Sequence, residues 1–225
     1  MDTLSIEVSS EENTVDGAIA NVIFAHGAGA DMHHEFMVEM TRLLNLAKVN
    51  VLRFNFPFMD KRIATGKRYP PDRMPILLAC YQDVIDRFLQ SSCAQDLPLF
   101  IGGKSMGSRV ACTLATNVEN KAKFLGVFCL GYPFHPAKKP EKLRLEPLIE
   151  GKLPVLIIQG DRDTLGSQSE VISYNLPEHC QSVFLADGDH SLKPRVKSGF
   201  SYQHHLQTAV DTLVTFILEH SYVCK

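Results

Sequence analysis

The chain is expected to form an α/β fold, a three-layer α/β/α sandwich around a mostly parallel, doubly wound sheet. Two observations predict it. Short runs rich in β-branched and aromatic residues alternate with longer stretches whose apolar residues recur every three or four positions. Several of the short runs, PLFIGG, FLGVFCL and PVLIIQ, are apolar throughout, as strands covered on both faces are, and lack the in-and-out alternation of a half-exposed sheet. Strand and helix alternating at this spacing imply right-handed crossovers between parallel neighbours. The 225 residues contain no internal repeat, low-complexity tract or interdomain linker, so one domain spanning 1–225 is expected.

In chain order, LSIEV (4–8) and ANVIFA (20–25) read as strands, and a stripe of Phe36, Met37, Met40, Leu43, Leu44 and Ala47 reads as a helix. VNVLRFNF (49–56) is a strand, 57–74 an irregular Pro-rich and basic stretch, and Leu77, Tyr81, Val84, Ile85 and Phe88 mark the next helix. LPLFIGG (97–103) leads into a helix near 106–117, followed by strands FLGVFCL (124–130) and PVLIIQ (154–159), with 132–152 irregular between them. SEVISYNL (169–176) is helical, QSVFLA (181–186) is a strand, and a closing helix turns Leu206, Val210, Leu213, Phe216 and Ile217 inward. The two irregular stretches follow strands, so they emerge at the carboxyl edge of the sheet, where ligands bind in such folds.

Charge and composition exclude several functions. A net charge of -2 supplies no field to hold a nucleic acid backbone, and no segment reaches the ~18 consecutive apolar residues of a membrane span. The opening MDTLSIEVSSEEN lacks the basic region and apolar core of a secretory signal, so a cytoplasmic protein is expected. Six scattered cysteines form no CxxC pair, and the adjacent pairs His33-His34 and His204-His205 do not match metal-ligand spacing, so no metal and no disulfide framework are expected.

Gly103-Lys104-Ser105-Met106-Gly107 fits G-x-S-x-G, with a buried strand before it and a helix after it. A sharp strand-to-helix turn there would expose Ser105 while the helix crosses close to the strand, so the flanking positions must lack side chains. A phosphate loop fits less well, because Pro98 stands where G-x-x-x-x-G-K-[ST] requires its first glycine. A serine hydroxyl needs a base, and the base an orienting acid. PVLIIQ runs into Gly160-Asp161-Arg162-Asp163, and QSVFLA into Asp187-Gly188-Asp189-His190. His190 is the candidate base. Asp161 and Asp163 are both candidate acids, with Asp163 preferred because it lies further into the turn. The oxyanion donors expected are the N–H of Met106 and, from the His26-Gly27-Ala28-Gly29-Ala30 loop after an earlier strand, that of Ala28. His26 is read as a brace for that loop.

The order Ser, acid, His, each at a strand end, resembles the α/β-hydrolases across nearly the whole chain. HGAGADM, GGKSMGSR, GYPFHP, IQGDRD and GDHSLK are similar to those of the small dienelactone-hydrolase-like group that includes testis-expressed protein 30 and the hydrolase-like subunit of the NSL histone acetyltransferase complex. The resemblance implies a compact serine hydrolase without a large lid or cofactor, acting on a small to medium ester or thioester, with the triad on Ser105, Asp163 and His190. The dienelactone branch itself uses cysteine where this chain has Ser105. The resemblance also implies a second reading, an inactive relative serving as a binding or scaffold module. Peptidases on this fold add a propeller or long cap, for which there is no room. Segments 58–73, 136–144 and 191–197 hold 12 of the 23 basic residues and 3 of the 25 acidic ones, which suggests either a positive mouth for an anionic substrate or loops that are basic simply because they are solvated. Arg53 and Arg109 are candidates either for binding substrate or for pairing with buried acids, the pairing being preferred for both.

Overall fold

The computed structural model describes residues 9–94 and 97–221, and the strand expected at 4–8 lies outside them. Among the described residues one sheet contains β1 (Ser10–Asn13), β2 (Ala20–Ala25), β3 (Val49–Phe54), β4 (Leu99–Lys104), β5 (Gly126–Leu130), β6 (Val155–Gly160) and β7 (Cys180–Leu185). Their spatial order is β1-β3-β2-β4-β5-β6-β7, all pairs parallel except β1 with β3. The helices are α1 (Glu35–Leu46), α2 (Pro57–Thr65), α3 (Met74–Gln90), α4 (Met106–Ala115), α5 (Glu146–Glu150), α6 (Gln168–Ser173) and α7 (Tyr202–Ser221).

Alternate residues of the central strands feed two cores. Ile23, Ile101, Val127 and Ile157 pack against Tyr81 and Ile85 of α3 and Val110 of α4. Val22, Phe100, Phe128 and Leu156 pack on the opposite face against Met40 of α1 and Leu213 and Phe216 of α7. Both faces are therefore covered, which explains the uninterrupted apolar runs. No helix among the described residues is long and apolar enough to cross a membrane.

Two parts of the sequence reading are corrected. The stretch 57–74, read as irregular, begins with α2, which has Pro57 at its first position and Gly66 as a left-handed cap at φ 64. Basic and polar residues dilute its apolar stripe to Phe58 and Met59, but the Pro start and Gly stop are its signature. Similarly, 132–152 contains the short α5. Strand β1, SEEN, has no apolar residue and no pattern of its own. It exists through pairing with β3, where Glu11 lies opposite Arg53.

The chain passes from β2 to β3 on one side and then crosses to β4 on the other, so the order reverses between β2 and β4. Crevices at such reversals, at the carboxyl ends of strands, are where doubly wound sheets bind ligands. The loop after β2 and the turn after β4 meet there: a Cβ on Gly27 would lie 3.5 Å from the Ser105 Cβ.

Candidate active site

Ser105 joins β4 to α4 with φ 53 and ψ −112, a left-handed conformation that a residue with a side chain rarely adopts. The surroundings over-determine it. Its N–H donates to the Leu130 carbonyl of β5 at 3.1 Å, and its own carbonyl accepts from the Ser108 hydroxyl at 2.6 Å and the Arg109 N–H at 3.2 Å. The strain leaves the Ser105 hydroxyl at the sheet edge instead of folded into the helix.

That hydroxyl lies 2.8 Å from Nε2 of His190, and Nδ1 of His190 lies 2.7 Å from Oδ2 of Asp163. Asp163 is buried, and its carboxylate also accepts from Gln159 Nε2 at 2.8 Å and the Leu165 N–H at 2.8 Å. The two aspartates of the turn after β6 are thus separated by geometry. The Asp163 N–H donates back to Gly160, turning the side chain under His190, whereas Asp161 lines a surface depression with Arg162, Gln168 and Arg195. Near His190 in sequence, Asp187 accepts from Arg195, and Asp189 accepts from the N–H groups of Ser191 and Lys193. Both shape the histidine loop. Lys104, one residue before Ser105, donates from Nζ to the His190 carbonyl and so ties that loop to the end of β4. Burial pulls its pKa down to about 8, opposed by the negative charges of Asp163 and Asp189.

Met106 is the first residue of α4, so its N–H has no carbonyl a turn earlier in the helix to bond. Ala28 lies across the crevice, and both residues line one cavity with Ser105. His26 orients the Ala28 amide: its Nδ1–H donates to the Gly27 carbonyl at 2.6 Å, and in a planar trans peptide the Ala28 N–H must then point the opposite way. Nε2 of His26 accepts from the Phe56 N–H at 3.0 Å, so the ring is held neutral as a brace.

Burial pushes the His26 pKa down from 6.5 to about 4. Between those values the unfolded chain binds a proton that the native chain does not, so stability falls as pH drops through that window. The loss should approach about 3 kcal/mol. Urea unfolding of the wild type and of His26→Gln near pH 7 and near pH 4 checks this. A wild-type loss on acidification no larger than that of the variant would contradict it.

The cavity holds about 300 Å³ and is lined by Ala28, Ser105, Met106 and Arg109 together with residues from the loops after β3, β5 and β6. Arg109 is where the sequence suggested a substrate contact. Arg53 is not: it is buried, its Nη1 bonds the Met32 carbonyl at 2.7 Å, and its Nη2 pairs with Glu11 at 2.9 Å. Its role is to fasten β1 to the sheet. The broad basic mouth also contracts. Arg62 is engaged by the Tyr69 and Ala28 carbonyls and Arg195 by Asp187, and among the basic residues of the three segments Arg144 alone lines the cavity. Arg144 and His135 were not singled out from sequence. Arg144 stands last in a basic segment, a signal that marked the stretch but not the residue.

A strained serine between strand and helix, with the loop after β2 facing it across the sheet's reversal point, defines the α/β-hydrolase fold. The chain belongs to the alpha/beta hydrolase domain family, whose pattern matches residues 18–218. Among solved structures it is similar to a dienelactone hydrolase from Anabaena variabilis, with a TM-score of 0.73 and 18% identity over 98% of this chain and 95% of that one. Est1E from Butyrivibrio proteoclasticus aligns with a TM-score of 0.71 and 15% identity over 97% and 96% of the two chains. A serine hydrolase without lid from Xanthomonas campestris aligns with a TM-score of 0.63 and 19% identity over 92% and 88%. At these identities the likeness is one of fold.

Proposed function

We propose that the protein is a cytoplasmic serine hydrolase of the carboxylesterase or thioesterase type, working as a single domain without a cofactor on a small ester or thioester. The observation that carries this reading is the unbroken relay from the Ser105 hydroxyl through both nitrogens of His190 to Asp163, at 2.8 and 2.7 Å. Ser105 attacks the carbonyl carbon as His190 takes its proton. Asp163 holds the imidazole in the tautomer that can accept, and stabilises the imidazolium. The N–H groups of Ala28 and Met106 receive the oxyanion. His190 returns the proton to the departing alkoxide or thiolate, and a water molecule repeats the cycle on the acyl-enzyme, releasing the acid.

The fold neighbours described as a serine hydrolase without lid and as a dienelactone hydrolase support the same reaction class. The motif resemblance supports extending the proposal to kinship with testis-expressed protein 30 and the NSL-complex subunit. The free thiols of the described cysteines suit a reducing compartment.

A fluorophosphonate probe, which phosphonylates an activated serine, tests the reading directly. Wild type should label stoichiometrically and Ser105→Ala not at all. Equal labelling of the two would remove the catalytic role and leave a hydrolase-fold binding module.

A further inference from the structure

We propose that Arg109 and Arg144 form a carboxylate subsite beside Ser105, so that the preferred substrate is an ester or thioester of a short acid bearing a second carboxylate. The proposal rests on the hydrolase reading and adds to it the chemical class of the acyl group.

Ser105 caps α4 and Arg109 stands in its first turn, where its N–H donates to the Ser105 carbonyl at 3.2 Å, and both residues line the one cavity. Its Nε is buried and has no hydrogen-bond partner among the described residues. Arg144 reaches the same cavity from the loop after β5. Its main chain is pinned on both sides, the carbonyl accepting from Tyr132 Oη at 2.8 Å and the N–H donating to the Phe134 carbonyl at 2.8 Å. Its guanidinium makes only a long contact of 3.5 Å with the Pro133 carbonyl. Neither arginine has an ion pair among the described residues, although Arg42, Arg53, Arg87, Arg162 and Arg195 do.

Two like charges facing one small cavity repel each other and lose solvation. Burial and the neighbouring Arg109 charge together hold the Arg144 pKa below its ordinary value. The cavity wall does not neutralise them from within. Asp72, the carboxylate that lines it, keeps its charge but makes no ion pair with either arginine among the described residues; its Oδ2 accepts the Phe58 N–H at 2.9 Å, and His135 is directed to Glu170, 3.4 Å away. An arriving carboxylate would supply the missing charge, and two planar forks suit its geometry.

Spacing limits the ligand. Arg109 stands in the helix turn that follows Ser105, so the second carboxylate belongs a few bonds beyond the scissile carbonyl. A cavity of about 300 Å³ has room for a short acyl chain. Half-esters of dicarboxylic acids about as long as glutarate fit both limits.

The test compares the mono-p-nitrophenyl ester of glutaric acid with p-nitrophenyl butyrate at low salt. Wild type should favour the anionic ester in kcat/KM by about 30-fold, from two charge-assisted contacts. The preference should shrink with added salt, and approach one in Arg109→Gln/Arg144→Gln. A wild-type ratio near one overturns the subsite. If neither ester is turned over, the hydrolase reading fails, and the subsite is decided by binding. Ligand-observed NMR with Ser105→Ala should then detect monomethyl glutarate binding at least tenfold more tightly than methyl butyrate, and equal binding overturns it. Phenyl phosphate competing better than glutarate would assign the pair to phosphate and overturn the carboxylate. Should the double glutamine variant not fold, Arg109→Lys and Arg144→Lys keep the charge without the fork and should each reduce the anionic preference; an unchanged preference in both overturns the proposal.

Discussion

Asp163→Asn is expected to lower kcat by about 10⁴-fold while leaving KM within a few-fold and the fold intact. The carboxylate is filled on every side by donors: Oδ2 accepts from His190 Nδ1 and Gln159 Nε2, and Oδ1 accepts from the Leu165 N–H. Asparagine keeps only one oxygen. If that oxygen stays towards Leu165, the new NH₂ meets His190 and drives the imidazole into the tautomer with its proton on Nε2, which cannot accept from Ser105. If it stays towards His190, the NH₂ meets the Leu165 N–H, and the imidazolium loses its counter-charge. Gln159 cannot compensate by flipping, since the Tyr132 and Gly166 carbonyls and Asp163 all surround its Nε2. Steady-state kinetics with a p-nitrophenyl ester, with circular dichroism as the check on folding, decides the matter. A folded variant that loses less than about tenfold would remove Asp163 from the relay. The same substitution at Asp161, in its separate surface depression, should change kcat little.

Much of this site can be read in the sequence because its parts stand at strand ends, and buried strands announce themselves. Continuous apolar runs located β4, β5 and β6, shorter strand-like runs located β2 and β7, and the chemistry lies in the residues after β2, β4, β6 and β7. What could not be read depends on contacts between distant segments. Asp161 and Asp163 share one turn, and only the bond from the Asp163 N–H to Gly160 aims one of them at His190. Arg53 is read as paired with an acid more readily than as a substrate contact, but the acid itself, Glu11, could not be named because it sits on a strand of wholly polar sequence, formed by pairing alone. The basic segments suggested a charged mouth, but the fold of α2 and of the histidine loop turns Arg62 and Arg195 onto the protein's own oxygens and leaves Arg144 at the cavity.

Gly107→Ala should destabilise the protein by about 3 kcal/mol or more and abolish probe labelling, although alanine is the better helix former. Gly107 lies in the first turn of α4, where exchanging glycine for alanine would ordinarily gain about 1 kcal/mol. Here a Cβ would stand 2.5 Å from the Ala25 carbonyl oxygen and 2.8 Å from that of His26, both main-chain atoms that no rotamer change can move. Relief requires α4 to withdraw from the end of β2. That displacement carries Met106 away from Ala28, both of which line the cavity with Ser105, so folding and the proposed activity suffer together. Gly29 provides the contrast within the same crevice: a Cβ there meets nothing within 4 Å, and Gly29→Ala should shift stability by less than about 1 kcal/mol. Urea midpoints of the two variants compare the effects directly. A Gly107→Ala protein as stable as Gly29→Ala would mean that α4 does not press on β2, and the strained turn at Ser105 would lose its physical cause.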